Sequence, residues 1–221
     1  MKRAIPRRGV LLLIIAAVVL LAAWLAFPYD KYFSDIFRAQ DAEWGRQHTI
    51  QEFLQLVRPL GKSDVLLLLA MLLGLWGRRR RTLEIVLALI LVSVMVWPVK
   101  VIVGRERPGV TNYHSFPSGD TASITAFCVP LVHAHPALLP VAAGAIVAVA
   151  GGRVFDGKHY PSDVLAGAAF GLAAGVLAIW IAGRWGGRVR LRRGWCVWFM
   201  LGLLVAQGAL WLALYRSMPG G

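Results

Sequence analysis

Cysteine and acid are both scarce in this chain. Only two cysteines, Cys128 and Cys196, occur in 221 residues. Both fall inside long apolar stretches, where neither a disulfide framework nor a cysteine-based metal site is expected. There is no CxxC, no HExxH and no Walker sequence, so the metal and nucleotide chemistries those motifs carry have no footing here. Repeats and low-complexity tracts are absent too, and nothing marks a second domain, so residues 1–221 are read as a single unit. Acidic residues number 11 against 24 lysines and arginines, a formal charge of +13. In a water-soluble protein that excess would point to nucleic acid, but 58% of the residues are apolar, too many for a soluble globule of this length.

What is abundant is hydrocarbon. Apolar runs near 10–27, 63–77, 82–99, 120–134, 137–151, 162–183 and 195–215 approach or reach the roughly 20 residues that cross a bilayer as a helix. The fold class expected is all-α, a polytopic transmembrane helical bundle of six to seven spans. The fourth and fifth runs are short, with only the HAHP turn around Pro136 between them. The first run resembles a signal peptide but is longer than a typical apolar core and lacks a small-x-small site before Tyr29, so it is read as a retained anchor. Lys2, Arg3, Arg7 and Arg8 precede the first span, Arg78 to Arg81 follow the second, and Arg184, Arg188, Arg190, Arg192 and Arg193 follow the sixth. All three clusters are cytoplasmic under the positive-inside rule, and the span count between them agrees. They are topology determinants beside anionic lipid, so the expected partner is the bilayer and not nucleic acid.

Three segments then face the opposite side: 28–62, 100–119 and 152–161. DAEWGRQHTIQEFLQLVRPL in the first reads as an amphipathic interfacial helix presenting Trp44, Phe53, Leu54 and Leu56 to the membrane surface. KVIVGRERP carries Lys100, Arg105 and Arg107 beyond a span ending at Trp97-Pro98. Cations on an outer loop oppose the topological bias, and an anionic ligand is the simplest reason for them, although Lys100 alone could be snorkelling to the interface. GGRVFDGKHYPSD adds Arg153, Lys158, His159 and Asp163, with Pro161 suited to a first helical turn. Asp163, four residues after His159, can take the proton of one imidazole nitrogen and leave the other free as a nucleophile. Gly167, Gly171 and Gly175 share a helical face with Asp163, predicting close helix packing that turns the carboxylate inward. In SFPSGDTAS, Pro117-Ser118-Gly119 opens a span, so its amides and the Ser118 hydroxyl form a helix N-terminus able to hold a phosphate-like anion. Cations, helix-end donors and a His–Asp pair on one membrane face point to phosphoryl transfer.

These residues resemble the three-part signature of the type 2 phosphatidic acid phosphatase (PAP2) superfamily, whose members include membrane lipid phosphatases. The family pattern is a lysine, six residues and Arg-Pro; then Pro-Ser-Gly-His; then Ser-Arg, five residues, histidine, three residues and aspartate. Lys100, Arg107 and Pro108 match the first part. Arg153, His159 and Asp163 match the third, with Gly152 in place of serine. The second part is Pro117-Ser118-Gly119-Asp120, so aspartate stands where the family has histidine. The resemblance covers residues 100–163. It implies that His159 attacks phosphorus to give a phosphohistidine, that Asp163 orients it, and that Lys100, Arg107, Arg153, Ser118 and the Gly119 amide stabilise the transferring phosphoryl group. It implies neither a metal nor another cofactor.

The family histidine at position 120 protonates the leaving oxygen, and three readings of Asp120 stay open. It is a helix N-cap, or a general acid made protonatable by desolvation against the nearby cations, or the acid is unnecessary or comes from His114. Without an acid the leaving group departs as an anion, which a phosphate does far more readily than an alkoxide. That tilts the substrate towards a diphosphate or sugar-linked phosphate. The expected activity is release of phosphate from undecaprenyl diphosphate, phosphatidylglycerol phosphate, phosphatidic acid or a lipid A phosphate, at the periplasmic face of a bacterial inner membrane. The alternatives are a lipid phosphotransferase and a non-catalytic lipid-phosphate binding or transport protein. A haloperoxidase fits poorly with so many spans.

Overall fold

The computed structural model describes residues 5, 7–36, 53, 56–108, 113–185 and 202. The expected interfacial helix falls largely, and the expected seventh span almost wholly, outside the described residues. Among the described residues six α-helices are labelled: α1 (Arg7–Ala26), α2 (Ser63–Leu75), α3 (Arg79–Val103), α4 (Gly119–Ala134), α5 (Leu139–Phe155) and α6 (Pro161–Trp185). The chain beyond α1 passes through a 3-10 turn, Phe27–Tyr29, and is helical again over residues 30–36. Among the described residues four helical stretches, Arg7–Ile36, Arg79–Val103, Pro136–Phe155 and Pro161–Arg184, are long and apolar enough to cross a membrane. The chain is thus a polytopic, all-α transmembrane bundle, and backbone bonding within each helix is what hydrocarbon demands.

The expected loop beginning at Lys100 needs correction. α3 runs for 25 residues, straight through Pro98, so Lys100 occupies its last turn. Proline removes one backbone donor but does not end a helix whose other bonds have no competing water. What ends it is Gly104, in the left-handed conformation (φ 55°), whose amide returns to the Lys100 carbonyl. At its other end α3 starts inside the arginine run, and Arg80 and Arg81 both pair with the buried Glu84.

α4 is the buried centre of the bundle, with every residue from Thr121 to Pro130 inside. α6 packs against α4, α1 and α3. The glycine stripe behaves as expected. A Cβ added at Gly167 would lie 2.4 Å from the Ser118 carbonyl oxygen, one at Gly171 2.5 Å from that of Ala122, and one at Gly175 2.6 Å from Val129 Cβ. Only glycine allows this approach, and it brings the N-terminus of α6 against that of α4. The Ser118 amide donates to the Asp163 carbonyl at 2.9 Å and locks the two helix starts together.

Candidate active site

Side chains from the ends of five helices and the turns beside them converge at one end of the bundle. His159 sits in the turn between α5 and α6. That turn is shaped by Gly157 in the left-handed region (φ 62°) and by amide bonds from Lys158 and His159 to the Arg153 carbonyl, at 3.1 and 3.2 Å. Pro161 then starts α6 and places Asp163 in its first turn. His159 is 3% exposed and Asp163 fully buried, with His159 Nδ1 3.5 Å from Asp163 Oδ2. The same carboxylate oxygen accepts the Ser115 hydroxyl and the Tyr160 amide, while Oδ1 accepts Arg105 Nη1 at 2.9 Å. An ionised carboxylate only accepts, so the proton shared with the imidazole belongs on Nδ1, and Nε2 carries the lone pair. Burial pushes the His159 pKa below its ordinary value of 6.5, and the hydrogen bond and charge of Asp163 only partly oppose this. The ring is neutral at pH 7, as a nucleophile must be.

Around this pair stand Lys100 from α3, Arg107 from the loop after it, and Arg153 from the last turn of α5. Burial lowers the Arg107 pKa from its ordinary value, and the neighbouring Arg153 charge lowers it further. Lys100 Nζ donates to the His114 carbonyl at 2.8 Å, and its chain passes over the start of α4, where a Cβ added at Gly119 would lie 3.8 Å from Lys100 Cε. The Nε groups of Arg107 and Arg153 are buried donors with no well-aligned acceptor among the described residues. Such orphaned donors are costly, and they suit an anion with several acceptor oxygens. The Gly119 amide, at the first position of α4, is one of the donors a helix start leaves free.

Asp120 departs from one of its sequence-based readings. The helix N-cap is Ser118, not Asp120. Its side chain accepts from the Thr121 amide (3.5 Å) and the Thr121 hydroxyl (3.1 Å), and Ser118 is fully buried. In both contacts the Ser118 oxygen accepts, so its own proton is left to donate. Asp120, two residues on, pairs instead with Arg153, Nε to Oδ2 3.1 Å. Charge and distance make this an ion pair, while the orientation of the N–H leaves it without a proper hydrogen bond. His114, the other candidate acid, has φ 72° and is clamped to the end of α3, its Nδ1 3.0 Å from the Lys100 carbonyl oxygen.

Arg105, grouped by sequence with the anion-binding cations, is committed elsewhere. It bonds Asp163, Ser162 and Asp30, so it is already neutralised. Among the described residues, Lys100, Arg107 and Arg153 stand at the site beside the carboxylate of Asp120, an excess of positive charge suited to a phosphate. Sequence reasoning missed Asp30, Ser115 and Ser162. The one available signal was an unexplained acid, Asp30, just past the first span.

Residues 65–187, more than half of the chain, match the PAP2 superfamily. The lipid A 1-phosphatase of Porphyromonas gingivalis is 35% identical over 112 residues, 48% of this chain and 24% of that protein. The match thus spans about a quarter of that relative's length. The crystal structure of LpxE from Aquifex aeolicus superposes with a TM-score of 0.56 at 24% identity, covering 66% of this chain and 93% of that one. The transmembrane PAP2-type phosphatidylglycerolphosphate phosphatase of Bacillus subtilis does so with a TM-score of 0.59 at 22% identity, covering 83% and 98%. At these identities the two structures establish a shared fold. The fold and the family match agree, and the chain belongs to the PAP2 superfamily.

Proposed function

We propose that this protein is a membrane lipid phosphatase that works through a phosphohistidine on His159. The observation that carries the reading is a buried, neutral histidine backed by Asp163 and ringed by Lys100, Arg107 and Arg153, two of which hold orphaned buried donors. His159 Nε2 attacks phosphorus; the N–P bond forms as the P–O bond to the lipid breaks, and the leaving oxygen takes the electron pair. Asp163 holds the Nδ1 proton throughout. The three cations and the Gly119 amide stabilise the charge on the transferring phosphoryl group. Water then attacks phosphorus, Nε2 departs with its electron pair, and the proton lost by water passes to solvent.

Asp120 is engaged by Arg153 and not turned towards a leaving oxygen, so in this reading the leaving group departs without a proton from this residue. That is feasible for a diphosphate or a sugar-linked phosphate and slow for an alkyl ester. The substrate class proposed is therefore a lipid diphosphate or the sugar phosphate of a lipid A type molecule. The relative named lipid A 1-phosphatase supports the second. An apolar groove of about 650 Å³ lined by Leu20, Leu21, Trp24, Phe27, Val103 and Phe116 opens beside the site and suits an acyl chain. With the arginine-rich end in the cytoplasm, the site faces the periplasm from the inner membrane.

The test is phosphate release by purified protein from lipid A, undecaprenyl diphosphate, phosphatidylglycerol phosphate and phosphatidic acid, with His159→Ala as reference. Release should be fastest from the first two and absent in the variant. No release above the variant from any of the four would refute the phosphatase reading.

A further inference from the structure

We propose that Asp30, just beyond α1, is a positioning residue for the reaction, acting on Asp163 through Arg105. This rests on the phosphatase reading above. Asp30 lies outside the family region, 65–187. It is nonetheless 1% exposed and wired to the site. Its Oδ1 accepts the Ser162 amide at 3.0 Å, and its Oδ2 accepts Arg105 Nη2 at 2.8 Å together with the Ser162 hydroxyl. Arg105 Nη1 in turn reaches Asp163 Oδ1 and Ser162 Oγ, both at 2.9 Å.

The guanidinium lies between two rings, Phe27 and Tyr160, each 4.0 Å from its carbon. Its faces are covered, and its two terminal nitrogens each grip a different carboxylate. A planar fork fixed this way sets the direction of both. With Oδ1 of Asp163 taken by Arg105, only Oδ2 is left for Ser115, the Tyr160 amide and His159 Nδ1. The orientation of the carboxylate behind the nucleophile is therefore decided by a residue on the first membrane segment. A catalytic side chain needs such support from neighbours whose own rotamers are locked. A tie between the first segment and α6 alone would need only the Asp30–Ser162 bonds; the fork onto Asp163 adds control of the site.

Asp30→Asn preserves shape and removes the charge. It should lower kcat by about 10- to 100-fold, the scale of a small misplacement at a reacting centre, with KM within about threefold of wild type. The acid limb of kcat/KM distinguishes this from simple loosening. The charged groups facing His159 are Asp163 from α6, Lys100 from α3 and Arg153 from α5, with Asp120 from α4 and Arg107 adjoining them. Removing one buried negative charge from behind this set disfavours the imidazolium, so the limb should move to lower pH. Hydration of a loosened site would move it up, towards the ordinary histidine value. Arg105→Lys keeps the charge but cannot fork, and should lose kcat to a similar extent. A kcat within twofold of wild type in Asp30→Asn, or a limb that moves up, overturns the proposal. If Asp30→Asn does not fold, undiminished kcat in Arg105→Lys overturns it instead. Wild-type protein that releases no phosphate from any lipid sinks this proposal and the phosphatase reading together, whereas active wild type with a silent Asp30→Asn sinks this one alone.

Discussion

Arg153 Nε lies 3.1 Å from Asp120 Oδ2, joining the last turn of α5 to the first turn of α4 across the site. An acid here subtracts one unit of charge from the cations that would meet a phosphate. It also places a carboxylate where the family pattern has a proton-donating histidine.

Asp120→Asn should therefore strengthen the grip on phosphate. Losing one part-buried ion pair of about 1 kcal/mol frees Arg153 for the ligand, which corresponds to about a fivefold lower inhibition constant for inorganic phosphate. Turnover of a lipid diphosphate and of phosphatidic acid should change in parallel. A loss of 10²-fold or more confined to phosphatidic acid would instead make Asp120 the general acid.

Arg107→Ala and Arg153→Ala should each reduce kcat by about 10²-fold or more, as removal of a preorganised charge-stabilising donor does elsewhere. Steady-state phosphate release measures it. Normal turnover in both would place the phosphate away from their buried Nε groups.

The pH profile follows from His159. Its pKa is held below 6.5 by burial, so the neutral nucleophile predominates at pH 7. The acid limb of kcat/KM should therefore lie below pH 6.5, with no loss between pH 7 and 8 from this group. The same shift makes the folded protein bind this proton less readily than the unfolded chain. His159 thus costs stability as pH falls through 6.5 and none above it. Thermal melts in detergent at pH 5.5 and 7.5 should show the drop.

Gly167→Ala should separate the starts of α4 and α6. The added methyl meets the Ser118 carbonyl oxygen at 2.4 Å, whereas one at Gly183 meets nothing within 4 Å. Overpacking of this kind costs about 1–3 kcal/mol. The melting temperature of Gly167→Ala should fall by several degrees and activity with it, and Gly183→Ala should match wild type. Equal melting of the two would mean that the helices are free to part.

Orientation is checked with single cysteines in a background lacking Cys128 and Cys196. Glu106→Cys, exposed at the site end, should react with an impermeant thiol reagent on intact cells. Arg78→Cys, exposed in the turn between α2 and α3, should react only after lysis. The reverse pattern would turn the site to the cytoplasm.

The run of apolar residues was enough to find the six helices now described, because a helix in hydrocarbon satisfies its own backbone and needs no distant partner. Motif spacing likewise identified His159 and Asp163, which share one turn and lie four residues apart. Local pattern failed where a choice depended on a competing partner. Aspartate and serine both cap helices, and only the start of the helical backbone at Gly119 makes Ser118 the cap and leaves Asp120, in the first turn, to pair with Arg153. Arg105 and Arg107 read alike in sequence. What separates them is Asp163, 58 residues from Arg105 along the chain, and Asp30, 75 residues away. The Asp30–Ser162 bonds span 132 residues. Such charges are matched only when packed helices bring them together out of water, where each must find a partner, and that decision belongs to the tertiary structure.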